Sequence, residues 1–338
     1  MMMQTKTAEP GSFLEFDLSS VPSPCFVTDL ARLEDNLRLL NAVTEASGVH
    51  ILTALKAFSL WSTAPLVSRY LAGACASGLY EARLARAHYS GLLSCFAPAY
   101  KTDEMDELAG LCDHIIFNTP QQISRFAGQA TAQGAELGLR VNPCLPQGEV
   151  EKYDPAAPRS RLGTPVSQLA DYHFDQISGL HIHSLCEQGF SELENVISVV
   201  KPLLDRAGGQ LSWLNLGGGH MITAPDYDRE ALINCLCDLK QRYDLDIYLE
   251  PGTAIAFDAG ILVGEVMDIM ENDGPIAILD ISATCHMPDV LEAPYRPALL
   301  AEADTGTGVL VRLGGPSCLA GDVTVSYTHL RAHETSLH

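Results

Sequence analysis

From residue 24 onward, short apolar runs alternate with amphipathic stretches. PCFVTDL (24–30) reads as a strand. The segment after it carries Leu33, Leu37 and Leu40 at helical spacing and stops near Gly48, a helix-ending residue. HILTALKA (50–57) is the next strand and 61–72 the next helix. GACAS (73–77), GLLSCF (91–96) and HIIF (114–117) each lead into a helical stretch, and LGLRVNP (137–143) opens a Pro-rich connection that lasts to about residue 165. Connections of that length inside a domain are often functional. Strands resume at QISGLHIHS (176–184), SWLNLGGGH (212–220) and DIYLEPG (246–252), separated by helices at 191–207 and near 228–242. Repeated strand–helix alternation predicts parallel strands, and about eight of them across 24–255 predict a (β/α)8 TIM-type barrel, an α/β fold. After residue 255 the texture changes. ILVGEVMDIM, PIAILDIS and GVLVRLGG are β-rich with no helices between them, which predicts a second, mostly β domain.

Composition agrees with a globular chain: of 338 residues, 47% are hydrophobic and 19% charged. That length exceeds what one core usually serves, so two domains are expected. No apolar run is long enough to cross a membrane, and the opening MMMQTKTAEPGSF lacks the apolar core of a secretory signal, so a cytoplasmic protein is expected. Ten cysteines include no CxxC pair, and Cys25, Cys75, Cys95, Cys186 and Cys285 sit in apolar or motif segments, so they read as reduced thiols. The net charge of −21 argues against a nucleic-acid partner and suits a cationic small-molecule substrate; solubility alone would also account for it.

Four features could carry chemistry. Lys56 closes the strand LTALK, at the end of a barrel where active sites are built; such an amine can bond an aldehyde, or simply reach solvent. Gly217, Gly218 and Gly219 follow WLNL, where bare backbone amides can wrap a phosphate or only make a tight turn. Glu250 closes YLE, where a carboxylate can face the pyridine nitrogen of pyridoxal phosphate (PLP) or be an ordinary strand-end acid. His181 and His183 share one side of their strand, as metal ligands with Glu187 or Cys186, or as a ring stacked on an aromatic cofactor.

LTALKAFS, HIHSLCE, NLGGGH, EPG, DISATCHMPDVLEAPYRP and GGPSCLAGD stand in this order along the chain. In this the sequence resembles the fold-type III PLP-dependent decarboxylases, which share the alanine racemase-like barrel and include ornithine and diaminopimelate decarboxylases. Within them it is most similar to the carboxynorspermidine/carboxyspermidine decarboxylases, over roughly residues 20–325, with ATCHMPDVLEAPYRP and YDPAAPRSRLG the most specific stretches. The resemblance implies a PLP-dependent carboxy-lyase of polyamine (spermidine) biosynthesis that makes norspermidine or spermidine. It implies that Lys56 bonds the cofactor, that His181 stacks on its ring, that Ser184 and Gly217–Gly219 hold its phosphate and that Glu250 pairs with its ring nitrogen. Cys318 matches a cysteine that the family presents to the neighbouring subunit's site as proton donor, which implies a homodimer with shared active sites. Asp280, Asp289 and Asp322 become candidates for the substrate's cationic groups, with Tyr295 and Arg296 lining that region, and no metal is implied. The alternatives are a decarboxylase of a smaller basic amino acid (diaminopimelate, ornithine or lysine), a non-catalytic PLP-binding regulator, and, more distantly, a metal hydrolase using His181, His183 and Glu187.

Two departures stand out. Where the family has a second acid just after EPG, this chain has Thr253. At the other end, SYTHLRAHETSLH lacks strand alternation and does not match the family's continuation. The expected organisation is therefore 1–23 as an N-terminal segment associated with the β domain, 24–255 as the barrel, 256–325 as an incomplete β domain, and 326–338 as a non-family tail. Missing strands would leave open sheet edges, so poor stability and little activity are expected of the chain as written.

Overall fold

A computed structural model describes residues 5–6, 11–148, 150–292, 294–300, 310–323 and 327–328. They fall in two units, 31–257 on one side and the described parts of 1–30 and 258–338 on the other.

In the first unit eight short strands close a barrel: His50–Ala54, Gly73–Ala76, Leu92–Phe96, His114–Phe117, Glu136–Asn142, Gly179–His181, Trp213–Asn215 and Asp246–Leu249. Every neighbouring pair is parallel, and the last strand pairs with the first through Leu249 and Ile51. Parallel strands are covered on both faces, which is why these runs are apolar without strict alternation; all four residues of His114–Phe117 are buried. The covering helices present the spacing read from the sequence. Leu30–Ser47 buries Leu33, Leu37, Leu40 and Val43. Pro120–Ala132 starts where the Thr119 hydroxyl accepts the Gln122 N–H, and it buries Ile123, Phe126 and Ala130. Phe190–Ala207 ends at Gly208, which takes a left-handed φ of +54° that glycine adopts without strain.

The expected helix over 61–72 is shorter than its pattern. Two single turns, Trp61–Thr63 and Ala64–Val67, replace it. Strand pairing overrides helical spacing there, since the Ala72 N–H already donates to Ile51 O at 2.9 Å. At the N-terminal end of the barrel, Trp213 fills the interior beside two glycines on neighbouring strands. A Cβ on Gly179 would lie 2.0 Å from Trp213 Cδ2, and one on Gly138 would lie 2.3 Å from Cη2. Gly179→Ala is therefore expected to destabilise the chain by about 1–3 kcal/mol through overpacking. Urea unfolding checks this, and an unchanged midpoint would show that the indole can move aside.

The second unit is built on β-structure. Cys25–Thr28, expected as the opening strand of the barrel at 24–255, instead pairs antiparallel with Gly260–Val263, because both runs need a partner outside the closed ring. A four-stranded sheet follows the order Val266–Glu271, Pro275–Leu279, Leu310–Gly314, Tyr327–Thr328. Its core is Ala277, Leu279, Ile281 and Leu313, backed by Leu262, Val266 and Val311. Single helical turns at Ala283–His286 and Asp289–Glu292 interrupt what the sequence suggested was helix-free. The anticipated tail lies outside the described residues, apart from the backbone of Tyr327–Thr328. Among the described residues no helix is long and apolar enough to cross a membrane.

Candidate active site

The C-terminal ends of the barrel strands carry an interacting cluster of polar groups. Lys56 lies in the turn directly after the first strand, with its side chain exposed. The sixth strand ends at His181, the seventh at Asn215, and the eighth runs straight into Glu250. Parallel pairing sets Asn215 opposite both His181 and Tyr248, so the ends of three strands meet. Glu250 is 5% exposed, and both its oxygens are held: Oε2 sits 3.0 Å from His181 Nε2, and Oε1 accepts from Asn215 Nδ2 at 2.7 Å. Phe96 stacks on His181 with ring centroids 5.5 Å apart, and the Arg140 guanidinium lies 4.3 Å above the Phe96 ring. Arg140 also donates to the His183 carbonyl at 2.6 Å.

Burial and charge fix the ionisation of this group. Burial alone would raise the pKa of Glu250, but contact with His181, the Asn215 hydrogen bond and the Lys56 cation outweigh it and hold the carboxyl below its usual range. Burial lowers His181, with Glu250 opposing. Burial, together with the Lys56 and Arg140 cations, puts His183 well below the usual imidazole value. His220, buried behind the glycine turn, is pushed down to about 4 by burial. Arg140 is lowered by burial to about 10 and stays cationic at neutral pH.

These shifts share one sign. The folded chain resists protonating histidines that the unfolded chain protonates near 6.5, so acid favours unfolding. Below pH 6.5, each histidine kept neutral lowers stability by up to about 1.4 kcal/mol per pH unit until its own folded pKa is reached. Glu250 adds to the loss only as the pH falls from the ordinary carboxylate range through its lower folded value. Without added cofactor, the urea midpoint is expected to fall steadily from pH 7 to pH 5, and His220→Asn is expected to flatten that slope. Equal midpoints at both pH values would contradict the assignment.

The glycine turn is narrow by necessity. Gly217 and Gly219 hold φ of +70° and +84°, and a Cβ on Gly218 would lie 2.1 Å from Glu250 O. Two of the three amides are engaged inward: Gly217 N–H donates to Asn215 Oδ1 at 2.8 Å and Gly218 N–H to His183 Nδ1 at 3.2 Å. An anion at this turn would be met mainly by the amides from Gly219 onward. Ser184 Oγ and His181 Nδ1 are buried with no hydrogen-bond partner among the described residues. A hydroxyl awaiting an acceptor, a side-chain-free turn, an ionised acid and a strand-end amine fit the donor and acceptor pattern of PLP. The triad His181, His183 and Glu250 also brings ligand atoms within 4.8 Å of one another, close enough for a cation. However, His183 Nδ1 is taken by Gly218 N–H, and Glu250 by two donors. Glu187 and Cys186, weighed earlier as ligands, are exposed.

The other candidates belong to the second unit. Asp322 is 2% exposed and accepts from Ala283 N (2.8 Å), Ser282 Oγ (2.9 Å), Ser317 Oγ (2.6 Å) and Ser317 N (3.3 Å). Four donors fill what a carboxylate can accept, so Asp322 ties two loops together. Asp280 accepts from Ser23 Oγ at 2.6 Å and Glu265 N at 2.8 Å, which leaves it half its capacity. Asp289 is exposed and accepts from the Tyr295 hydroxyl at 2.6 Å. Arg296 pairs with the chain's start through its backbone, opposite Thr5. Cys318 is exposed.

Four residues of the barrel group were not singled out in the sequence. Arg140 had a visible signal, as the one charge inside the strand LGLRVN. Asn215 had a fainter one, as the one polar residue in WLNL. Phe96 and Cys75, whose thiol is raised by burial and by Glu250, look like ordinary core positions in sequence.

No family model matches the chain. Among curated proteins it is 38% identical over 313 residues to a carboxyaminopropylagmatine decarboxylase of a Synechocystis species, covering 92% of this chain and 81% of that one. It is 37% identical over 319 residues to a carboxynorspermidine/carboxyspermidine decarboxylase of Campylobacter jejuni, covering 91% and 83%. Among solved structures it is similar to carboxynorspermidine decarboxylase of Campylobacter jejuni complexed with norspermidine, with a TM-score of 0.82, 35% identity and coverage of 92% and 86%. A structure of SrLDC in complex with PLP and cadaverine shares the fold at 18% identity and a TM-score of 0.75. With 37–38% identity to two curated relatives, covering 91–92% of this chain and 81–83% of theirs, the chain belongs to the carboxynorspermidine/carboxyspermidine decarboxylase family, a group of carboxy-lyases on the alanine racemase-like barrel.

Proposed function

We propose that the chain binds PLP and decarboxylates carboxynorspermidine or carboxyspermidine to norspermidine or spermidine, acting in the cytoplasm as a homodimer with shared sites. The observation that carries this reading is Glu250, a buried carboxylate kept ionised by His181 and Asn215 within the electrostatic reach of Lys56. PLP, when bound, supplies an electron-poor ring that accepts the electron pair left by departing CO₂. Lys56 anchors the cofactor through its amine and gives way to the substrate amine. Glu250 offers an anion that keeps a proton on the ring nitrogen, and His181 packs on the ring. The Ser184 hydroxyl and the amides from Gly219 onward take the phosphate, while Gly217 and Gly218 shape the turn. Cys318 Sγ, from the neighbouring subunit, delivers the proton to the substrate carbon. Asp289, and Asp280 with its spare lone pairs, hold the distal ammonium groups by charge-assisted hydrogen bonds.

A second reading has its own support. The 38% identity to the carboxyaminopropylagmatine enzyme makes a guanidinium-ended substrate a specific rival. Measuring CO₂ release from carboxynorspermidine, carboxyspermidine, carboxyaminopropylagmatine, diaminopimelate, ornithine and lysine separates the readings. The first two are expected to exceed each of the others in kcat/KM by at least about tenfold, equivalent to 1.4 kcal/mol in the transition state. Preference for the guanidinium compound would move the assignment to the second reading. Turnover of diaminopimelate alone would overturn both, and PLP uptake with no CO₂ from any compound would favour a regulator.

A further inference from the structure

We infer that Asn215 is a positioning residue that joins the two halves of the cofactor site, fixing the ring-nitrogen acid and the phosphate turn with a single side chain; this deepens the PLP reading and rests on it. The geometry is two-ended. Asn215 is fully buried, its Nδ2 donates to Glu250 Oε1 at 2.7 Å, and its Oδ1 accepts the Gly217 N–H at 2.8 Å. The bridge is reinforced on the backbone, where Glu250 N–H donates to Gly217 O at 2.7 Å. A displacement of Glu250 therefore shifts the turn, and a displacement of the turn shifts the acid.

The amide suits this place better than any other side chain. A carboxylate at 215 would still accept from Gly217 but would face Glu250 with like charge. An alanine would leave the Gly217 N–H and Glu250 Oε1 both short of a partner in a buried site. The surroundings of Glu250 add definite signs. His181 touches it from the sixth strand and Lys56 acts on it from the turn after the first. Cys75 approaches from the second strand, Arg140 lies on the fifth and His114 on the fourth. His181, Lys56 and Arg140 favour the ionised acid when cationic. Neutral Cys75 and the neutral His114 contribute little charge. Loss of the Asn215 hydrogen bond removes one of the contacts that hold Glu250 ionised, and a carboxylate at 215 opposes ionisation directly.

Two variants separate the ends: one cuts only the link to Glu250, the other cuts both. The full chain, Asn215→Asp and Asn215→Ala are titrated with PLP and with pyridoxal, which lacks the phosphate. The visible band of bound PLP is then followed from pH 5 to pH 9. Asn215→Asp keeps the acceptor for Gly217, so its preference for PLP over pyridoxal is expected to stay within about twofold of the parent, while the pH midpoint of the band shifts by about one unit. Asn215→Ala loses both ends, and its preference for PLP over pyridoxal is expected to fall about tenfold with a smaller midpoint shift. If both variants match the parent in both readouts, or if Asn215→Asp loses phosphate preference without moving the midpoint, the inference fails. If the parent chain itself takes up no PLP, the cofactor reading fails first and carries this inference with it. Circular dichroism of each variant identifies simple unfolding; should Asn215→Ala unfold, Asn215→Asp alone still decides, through the separation of its two readouts.

Discussion

Replacing Lys56 by alanine is expected to abolish covalent attachment of PLP. After incubation with PLP and reduction with borohydride, the parent chain is expected to carry one label on the peptide containing Lys56, and Lys56→Ala none. CO₂ release is expected to drop by at least about 10³-fold, since family chemistry of this kind begins from enhancements of 10⁶ or more. Placement sets Lys56 apart from other lysines. Lys101 pairs with Glu104 at 2.8 Å, Lys240 donates to the Gly48 carbonyl, and Lys152 lies over the Tyr153 ring. Lys56 instead acts electrostatically on Glu250, His181, His183 and Cys75, the groups gathered at the strand ends. An equally labelled Lys56→Ala chain would end the proposal, because any surface lysine could then do the work.

Glu250→Gln is expected to have the next largest effect, a loss of about 10²–10³ in the rate of CO₂ release with PLP still bound. The substitution keeps size and one of the two acceptor positions but removes the anion that holds a proton on the ring nitrogen. The pH dependence carries a sign as well. Burial pushes Glu250 up, but His181, Asn215 and Lys56 outweigh it, so the acid stays ionised to a pH below its usual range. Its contribution to rate is therefore complete at neutral pH and lost only as the pH falls through that lowered value. Single-turnover rates measured across pH on the parent and on Glu250→Gln check both points. A variant within about threefold of the parent would mean that the ring nitrogen needs no anionic partner here, well short of what removing one preorganised electrostatic group normally costs.

Much of the site could be read from the sequence because barrel enzymes place chemistry at strand ends, and strand ends are visible in the apolar pattern. Lys56, His181, Glu250 and the three glycines each follow an apolar run directly. The pattern was silent on partners. WLNL shows a polar residue in a strand but not that its amide reaches across to Glu250 on the next strand. The GGG run suggests three amides for an anion, whereas two of them turn inward to Asn215 and His183. Asp322 stands in a family-like stretch and reads as a ligand, yet four donors from its own unit surround it. Helical spacing over 61–72 was also outvoted, because Ala72 is claimed by the first barrel strand.

The order of apolar runs and helical spacings by itself determined a parallel barrel of about eight strands and which residues stand at their ends. Those are properties of neighbours in sequence, set by periodicity and by the short reach of strand–helix connections. Pairing of the first run with Gly260–Val263 decided which eight close the ring. Only the tertiary structure decided which end residues touch, which lone pairs are already filled and which groups stay charged. Those depend on register between strands and on burial in a low-dielectric interior, where His181 from one strand and an Asn215 hydrogen bond from 35 positions away together hold an acid ionised against its burial.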